Sequence, residues 1–376
     1  SGTLAMHIFV PALALAGADL HASPALMQMT VSVYIVGLAL GQLVYGPLAD
    51  RYGRRPMLMA GLALYTAAGL AAVLAPDAHT LIVARLLQAL GGCAGLVLGR
   101  AIVRDTALPQ EAAQRLAMMN LMVVIGPGVA PLIGGALAPT LGWRFILGML
   151  CVLGIVNFIC TWRLIPETGA PAANIDTRAL VRHYRQLLGS PAFLGYAIGG
   201  GCATTAMYAF IAAAPFIFVG ELHRPTHEVG IYLSVVVSGI WVGNVVASRL
   251  VMRVHMGRML VRANAISVLA AFTLLVAVLT GHLTAPLAVG LMFCYTFGSG
   301  LASPAALTQA MSVNPHVTGS ASGLYGCIQM GVGALCTVLA GLGDNPALAA
   351  ALSLAGAGVV SQLAFWIATR ASGKKA

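Results

Sequence analysis

The stretch GPLADRYGRRP, residues 46–56, holds four charged side chains between two long apolar runs, in a chain where only 8% of residues are charged. Gly46 and Gly53 permit close helix approach and a tight turn, while the two prolines loosen one helix end and start the next helix. Asp50 is able to pair with an arginine or to accept hydrogen bonds from a helix N-terminus. The ordered spacing favours a built turn over a merely solvated basic loop.

The composition of the whole chain is that of a membrane protein. Of its 376 residues, 59% are hydrophobic, and the mean hydropathy is +0.91, so charges are too few to cover a water-facing surface. The runs are continuously apolar rather than alternating, which predicts helices as the spanning form. The seven cysteines lie in apolar runs without metal spacing, so we expect buried thiols and neither disulfides nor a metal site.

Charged and turn residues divide the chain into twelve predicted spans. They are residues 1–18, 25–48, 57–76, 80–103, 115–138, 142–164, 191–219, 228–252, 259–280, 285–310, 318–342 and 346–370. The first is short, and the sequence is expected to begin inside its first helix. The longest polar stretch lies between the sixth and seventh spans. The predicted organisation is an N-terminal six-helix half (1–164), a cytoplasmic linker (165–190), a C-terminal six-helix half (191–370) and a tail (371–376).

The arginines and lysines predict the orientation of these spans. With both termini cytoplasmic, 17 of the 20 basic residues lie in cytoplasmic segments or at the span ends beside them. Only Arg144 and Arg224 fall on the opposite side, and Arg85 lies within a span. The net charge of +10 is therefore expected to face anionic membrane lipid rather than nucleic acid.

The two halves repeat weakly, and the repeat includes the opening stretch. GQLVYGPLADRYGRR (41–55) follows span two, and GNVVASRLVMRVHMGR (243–258) follows span eight with a similar order of glycines and arginines. Two six-helix halves joined by a polar linker are the plan of major-facilitator transporters. The fold class predicted is thus an all-α membrane protein, with twelve transmembrane helices in two pseudo-repeat halves.

The 46–56 stretch also resembles the loop 2–3 motif of the major facilitator superfamily, which locks the cytoplasmic gate in the outward-facing state. The resemblance implies that Asp50 contacts the second half near the start of span eleven. The gating residues it implies, with one arginine added from GRAIVRD (99–105), are Gly46, Asp50, Arg51, Gly53, Arg54, Arg55 and Arg104.

Arg85, in LIVARLLQALGGCAG (81–95), is a charged residue within a predicted span. It is expected about one turn from the outer end, with Gln88 one turn further on the same face. A charge inside a span favours a functional site, although snorkelling to the outer interface is the alternative. The stretch resembles the family's span-four motif, whose arginine is tied to proton coupling in antiporters.

GPGVAPLIGGAL (126–137) in span five is rich in glycine and proline, which predicts a bent helix that a partner approaches closely. A structural kink without a transport role is the alternative interpretation of the bare pattern. It resembles the family's antiporter motif, which is associated with exporters. The residues that carry the resemblance are Gly126, Pro127, Pro131, Gly134 and Gly135.

Further stretches are similar to the bicyclomycin- and chloramphenicol-resistance (Bcr/CflA) drug:proton antiporters. They are FVPALALAGADL (9–20), GRAIVRD (99–105), YAFIAAAPFIFV (208–219) and TGSASGLYGCIQMGVGAL (318–335). That subfamily commonly has a carboxylate in span one, where this chain has His7, and no acid is predicted at mid-membrane. His7 either carries the coupling proton or is only hydrogen-bonded. Asp19 and Asp77 are candidates for proton entry near the outer surface.

The cargo site is expected between the halves near the midplane, with apolar walls and a few polar groups. Lacking a buried acid, the chain is expected to take neutral, zwitterionic or anionic small molecules. The predicted contacts, each of which is alternatively a helix-packing residue, are Tyr34, Asn120, Met207, Tyr208, Phe216, Trp241, Tyr295, Tyr325 and Gln329.

The function predicted is a proton-coupled multidrug or small-molecule efflux antiporter of the bacterial inner membrane, working by alternating access. The alternatives are a uniporter or dedicated metabolite exporter without proton coupling, and a non-transporting membrane sensor. The sequence has no phosphate-loop, HExxH, GxSxG or DxDxDG motif, so we expect no ATP drive, enzymatic turnover or cofactor. The expected partners are cargo, protons and membrane lipid, and the family resemblance implies a monomer.

Overall fold

The computed structural model describes residues 2–106, 109–169, 177–250, 256–314, 318–343 and 345–373, and across these ranges every regular element is a helix. The first six spans are built from seven helices. These are α1 (Gly2–Phe9), α2 (Leu13–Asp19), α3 (Pro24–Tyr52), α4 (Arg54–Val73), α5 (Ala78–Thr106), α6 (Pro109–Leu141) and α7 (Trp143–Leu164). After them comes α8 (Thr177–Leu188), within the stretch that the sequence analysis treated only as a polar linker.

The remaining spans follow the same order as predicted. They are formed by α9 (Pro191–Thr205), α10 (Met207–Pro215), α11 (Thr226–Leu250), α12 (Met256–Leu279), α13 (Ala285–Ser312), α14 (Thr318–Ala340) and α15 (Pro346–Gly373). In the described part of the chain, eleven helical segments are long and apolar enough to cross a membrane, and Ile125–Leu141 of α6 is a shorter apolar helix. Together they match the twelve predicted spans.

The chain divides into two compact units. The N-terminal unit comprises Ser1–Asp176 with Thr226–Gly230, and the C-terminal unit comprises Thr177–Pro225 with Ile231–Ala376. Helix α8 therefore belongs with the C-terminal unit, where it packs against α9 and α14.

The first span of each unit, predicted over residues 1–18 and 191–219, is a continuous helical segment whose regular α-helical pattern is interrupted inside it. In the N-terminal unit a 3₁₀ turn at Val10–Ala12 separates α1 from α2, and it contains Pro11. In the C-terminal unit α9 stops at Thr205, α10 ends at Pro215, and a π-helical segment follows over Phe216–Glu221. Proline lacks a backbone donor, and threonine hydroxyls that bond back to the preceding turn bend a helix.

Small residues let the helices of the N-terminal unit pack backbone to backbone. A Cβ added at Gly91 of α5 would collide with the backbone nitrogen of Tyr65 and the carbonyl oxygen of Gly61, both on α4. Helix association in a membrane relies on such close packing, because lipid tails are as apolar as the side chains that they contact.

A matched pair of glycine substitutions tests this packing. Gly91→Ala should lower the free energy of unfolding by about 1–3 kcal/mol, because α4 and α5 must separate to admit the methyl group. Gly148→Ala in α7 should be neutral or slightly stabilising, since a Cβ at Gly148 meets nothing within 4 Å. Thermal unfolding of both variants in detergent measures the difference, and equal midpoints would contradict the packing argument.

Candidate functional site

The 46–56 stretch forms a tight turn between α3 and α4. Gly53 has a φ of +96°, in the left-handed region that favours glycine. A Cβ at Gly53 would also lie 2.5 Å from Oε2 of Glu167. The turn predicted for Gly53 is therefore confirmed. Among the described atoms a Cβ at Gly46 would meet nothing within 4 Å, and the close approach predicted for Gly46 stays a prediction.

Asp50 pairs with an arginine of its own turn. Its Oδ1 lies 2.6 Å from Nη1 of Arg54, and the Nε of Arg54 donates to Oδ2 of Asp105 at 3.2 Å. Arg54 thus joins the end of α3 to the end of α5. Of the two roles predicted for Asp50, the structure assigns pairing with an arginine. Its contact with the second half stays a prediction.

Glu167, which the sequence analysis did not assign to this turn, accepts the hydrogen bonds of the α4 N-terminus. Its Oε1 accepts the backbone N–H of Arg54 at 2.8 Å, and its Oε2 accepts that of Arg55 at 3.2 Å. Gly53 precedes the helix and has no side chain to cap it, so these donors need an external acceptor. In the sequence, the signal for this cap was that Glu167 is the first acidic residue after predicted span six.

The same hydrogen bonds explain the acidity of Glu167. The limited desolvation of this exposed carboxyl group acts to raise its pKa. This is outweighed by four backbone N–H donors, from Gly169, Arg54, Arg55 and Thr168, which hold the pKa below its ordinary value of 4.5. An ionised carboxylate at a helix N-terminus also interacts favourably with the helix dipole. Glu167 is therefore a charged cap that fixes the start of α4.

The other predicted gating residues have separate positions. The Nη2 of Arg55 donates to the carbonyl oxygen of Trp162 at 2.6 Å, which ties the turn to the end of α7. The guanidinium of Arg51 lies 5.0 Å from the ring centroid of Tyr52. Arg104 belongs to α5, and its side chain lies outside the part that the structure describes.

Arg85 is completely buried in the N-terminal unit. Its Nη1 donates to Oε1 of Gln88 at 2.6 Å and its Nη2 donates to the carbonyl oxygen of Ala5 at 3.0 Å. The guanidinium carbon lies 4.1 Å from the ring centroid of Tyr34 and 5.2 Å from that of Phe9. The shared face predicted for Arg85 and Gln88 is confirmed.

The burial also corrects the expected depth of Arg85. Helix α5 begins at Ala78, so Arg85 lies about two turns into it rather than one, and the fully buried side chain does not snorkel to the interface. Among the described residues no carboxylate forms an ion pair with Arg85, while Asp50 and Asp105 pair with Arg54 and Asp19 pairs with Arg144. Within those residues the positive charge of Arg85 is thus compensated by neutral acceptors and aromatic rings.

Two donors of this cluster lack an acceptor among the described residues. They are the Nε of Arg85 and the Nε2 of Gln88, both buried. A buried polar group without a partner is costly, and a functional role is one of the reasons for which a protein keeps such a group. The Arg85 cluster, defined by Arg85, Gln88, Tyr34, Ala5 and Phe9, is therefore the strongest candidate site within the N-terminal unit.

His7 is buried in the same segment of α1 but points elsewhere. Ala5 and Phe9 are four residues apart and share the face of α1 that meets Arg85, whereas His7 lies two residues from each and points to a different side. The structure therefore places His7 and Arg85 on adjoining helical segments, with His7 on a different side of α1 from the face that meets Arg85.

The predicted antiporter motif packs against this segment of α1. A Cβ at Gly134 would collide with the carbonyl oxygen of Ile8, whereas one at Gly126 would make only ordinary contact with Leu4 at 3.7 Å. Helix α6 continues through Pro127 and Pro131 as one helix. The close approach expected of this motif is thus confirmed at Gly134, next to His7.

The acids proposed for proton entry each have structural partners. Oδ2 of Asp19 accepts from the indole Nε1 of Trp143 at 3.1 Å and pairs with Arg144. Asp77 caps α5 by accepting the N–H and the hydroxyl of Thr80, at 2.9 and 3.0 Å, and these bonds lower its pKa. A role for either acid in proton entry stays a prediction.

In the C-terminal unit three of the predicted cargo residues meet at the break between α9 and α10. The Nε2 of Gln329 donates to the hydroxyl of Thr204 at 2.7 Å, and the hydroxyl of Thr205 donates to the carbonyl oxygen of Gln329 at 2.7 Å. The hydroxyl of Tyr325 is buried without a hydrogen-bond partner among the described residues, and it faces Gly200. Tyr208 of α10 packs beside Gly333, which lies on α14 together with Gln329.

The remaining predicted cargo residues are dispersed. Tyr34 donates its hydroxyl to the carbonyl oxygen of Gly2 at 2.7 Å, and Tyr295 donates to that of Cys202 at 3.4 Å, so both are structurally engaged. Met207 is buried, Phe216 is half-buried, and Trp241 is 39% exposed on α11. The side chain of Asn120 lies outside the described residues.

Comparison with known proteins decides the family. The sequence profile of the Major Facilitator Superfamily matches residues 2–337. The chain belongs to this superfamily. It is 25% identical to the Bicyclomycin resistance protein homolog of Haemophilus influenzae over 365 residues, covering 96% of this chain and 92% of the relative. It is 29% identical to Multidrug resistance protein D of Escherichia coli over 354 residues, covering 90% and 85%.

The fold agrees with that of solved superfamily members. The crystal structure of a D-xylose-proton symporter superposes with a TM-score of 0.76 at 15% identity, covering 97% of this chain and 95% of the symporter. Membership confirms the predicted major-facilitator fold and makes the chain a multi-pass membrane transporter rather than an enzyme. The relatives also confirm the resemblance to Bcr/CflA proteins.

The capping role of Glu167 predicts a pH-dependent stability. Glu167→Gln keeps an acceptor but loses the charge, and it should lower the free energy of unfolding by about 1 kcal/mol at neutral pH. Because the folded-state pKa lies below the ordinary value of 4.5, this contribution is present above that value and lost as pH falls through the folded-state pKa.

Unfolding measured in detergent across a pH series checks the sign. The difference between the parent protein and Glu167→Gln should be constant above about pH 5.5 and shrink below about pH 4. Glu167→Ala, which also removes the acceptor, should retain a deficit at low pH. A Glu167→Gln deficit of equal size at every pH would show that charge at this cap is unimportant.

Proposed function

We propose that this superfamily member is a proton-coupled efflux antiporter for small molecules in the bacterial inner membrane. Support for export comes from the motif at 126–137 and from the drug-resistance names of two relatives. The observation that carries the proposal is the complete burial of Arg85 within a membrane span, held by neutral acceptors. A buried charge is expensive to maintain, which favours a functional reason for it.

Proton coupling is assigned to His7, Arg85 and Gln88, with Asp19 as the entry point. A histidine is able to gain and lose a proton near neutral pH, and His7 lies on the α1 segment that also contacts Arg85 and Gly134. Protonation of His7 would add a second positive charge near the Arg85 cluster. This changes the relative free energies of the inward- and outward-facing states, and transport results when cargo binds the two states differently.

The charge of the Arg85 cluster also bears on the cargo. A fixed positive charge in a low-dielectric interior repels cations and attracts anions. We therefore assign neutral, zwitterionic or anionic small molecules as cargo, with a phenicol as the first compound to test. Gln329, Tyr325 and Tyr208, which meet at the broken first helix of the C-terminal unit, are the cargo contacts we favour there.

Two other functions make different experimental predictions. A uniporter or a dedicated metabolite exporter is favoured by the absence of acids from the predicted mid-membrane positions. A membrane sensor that kept the fold would move no cargo. Purified protein in proteoliposomes separates these: phenicol flux that requires a pH gradient supports antiport, and flux without that requirement supports a uniporter. No flux for any tested cargo supports a sensor, and efficient export of a lipophilic cation would overturn the assigned cargo class.

The same vesicles test His7 directly. His7→Ala should abolish the proton release that follows addition of phenicol, read by a pH-sensitive dye, because no other coupling histidine is assigned. His79→Ala is the matched control, since His79 is an exposed histidine at the start of α5. Proton release that persists in His7→Ala would remove His7 from the mechanism, even if the protein proves to be an antiporter.

Asp50→Asn tests the gating turn apart from stability. Asp50 is 56% exposed, so its ion pair with Arg54 should contribute no more than about 1 kcal/mol, and the variant should remain folded and inserted while its transport falls. Asp105→Asn removes the other carboxylate partner of Arg54 and serves as the comparison. Equal loss of transport in the two variants, or a large fall in the unfolding temperature of Asp50→Asn, would argue against a specific gating role.

A further inference from the structure

Helix α8 has one face that its own unit covers. The helix, TRALVRHYRQLL, packs against α9 and α14 within the C-terminal unit. Leu187 is buried there, and Tyr184 and His183 are half-buried. This face accounts for only part of the apolar surface of α8.

The side of α8 next to this covered face exposes a second apolar strip. Val181 is 64% exposed and Leu188 is 47% exposed, and the two lie about two turns apart on one side of the helix. Arg185 lies between them on that side, and Arg182 is adjacent; both arginines are exposed. An apolar strip bordered by arginines is the pattern of a helix that lies in a membrane interface.

The position of α8 along the chain places it at a membrane surface. Only Gly189 and Ser190 separate Leu188 from Pro191, where the first membrane span of the C-terminal unit begins. The three Cα-to-Cα steps from Leu188 to Pro191 reach at most about 11 Å, so the C-terminal end of α8 lies close to the end of that span. The basic residues predict that this side faces the cytoplasm, where the leaflet is anionic.

We propose that α8 binds the anionic phospholipid surface of the cytoplasmic leaflet. Val181 and Leu188 enter the boundary between headgroups and acyl chains, and Arg182 and Arg185 bind the phosphates. A lipid surface fits better than a soluble protein, because a stable protein interface needs about 800 Å² on each partner, whereas the strip offers two apolar side chains. This site is independent of the proposed transport function.

The packing of α8 gives this lipid contact a consequence for the C-terminal unit. Through Leu187 and its neighbours α8 is attached to α9, the broken first helix, and to α14, which carries Tyr325 and Gln329. Lipid that holds α8 in the interface therefore restrains the cytoplasmic ends of these two helices.

Tryptophan placed on each side of α8 tests which side meets lipid. Val181→Trp and Gln186→Trp replace exposed residues on different sides of the same helix. Each variant is placed in vesicles of phosphatidylcholine and phosphatidylglycerol that carry brominated acyl chains, which quench tryptophan fluorescence. The fluorescence of the added tryptophan is the emission of the variant minus that of the parent protein. This fluorescence should be quenched in Val181→Trp and retained in Gln186→Trp. Equal quenching of the two, or no quenching of Val181→Trp, would overturn the proposal.

The charge requirement is tested with a double variant in the Val181→Trp background. Arg182→Gln with Arg185→Gln should reduce the quenching in phosphatidylglycerol-containing vesicles to the level seen in pure phosphatidylcholine. Arg258→Gln with Arg262→Gln removes the same charge from two exposed arginines of α12, and this control should leave the quenching in phosphatidylglycerol-containing vesicles unchanged. Quenching that is the same with and without phosphatidylglycerol would refute the anionic-lipid assignment. If the quenching of Val181→Trp disappears only when a cell extract is added, α8 binds a soluble partner instead of lipid.

Discussion

The guanidinium of Arg85 is the group on which the arrangement of the N-terminal unit most depends. It is fully buried, and two of its nitrogens donate to the carbonyl oxygen of Ala5 and to the amide oxygen of Gln88, while Tyr34 and Phe9 contribute their ring faces. Breaking such contacts leaves an uncompensated charge in a low-dielectric interior. Helices α1, α3 and α5 are thereby held in one geometry, and α6 closes on α1 through Gly134.

The turn at 46–56 solves a different problem, that of anchoring a helix whose first residue follows a glycine. Glu167 supplies the acceptors for the N-terminus of α4, Arg54 connects Asp50 with Asp105, and Arg55 reaches Trp162. The turn is therefore joined to the ends of α5 and α7 as well as to α3. A gate built on it would move these helix ends together, because each of them contributes a charged or backbone group.

The two units use the same device in their first spans. Each begins with a helix whose α-helical pattern is interrupted, at Val10–Ala12 in one and at Ala206 in the other, and each interruption lies near polar groups within the membrane region. Broken helices free backbone groups that must find other partners. In the C-terminal unit the carbonyl oxygens of Cys202 and Ala203, just before Ala206, accept from the hydroxyls of Tyr295 and Ser299 at 3.4 and 2.6 Å. The irregular backbone and Tyr295, one of the predicted cargo residues, therefore belong to one feature.

The sequence alone determined what depends on neighbours along the chain. Apolar runs predicted twelve spans, Gly53 predicted a turn, and the three-residue spacing predicted that Arg85 and Gln88 would meet. Only the tertiary structure decided which distant groups complete these features. Glu167 caps a helix that begins 113 residues earlier, the carbonyl of Ala5 accepts from Arg85, and α8 joins the C-terminal unit. The reason is physical: hydropathy and helix periodicity act over a few turns, whereas an orphan donor or a buried charge is satisfied by whichever acceptor the packed helices bring within reach.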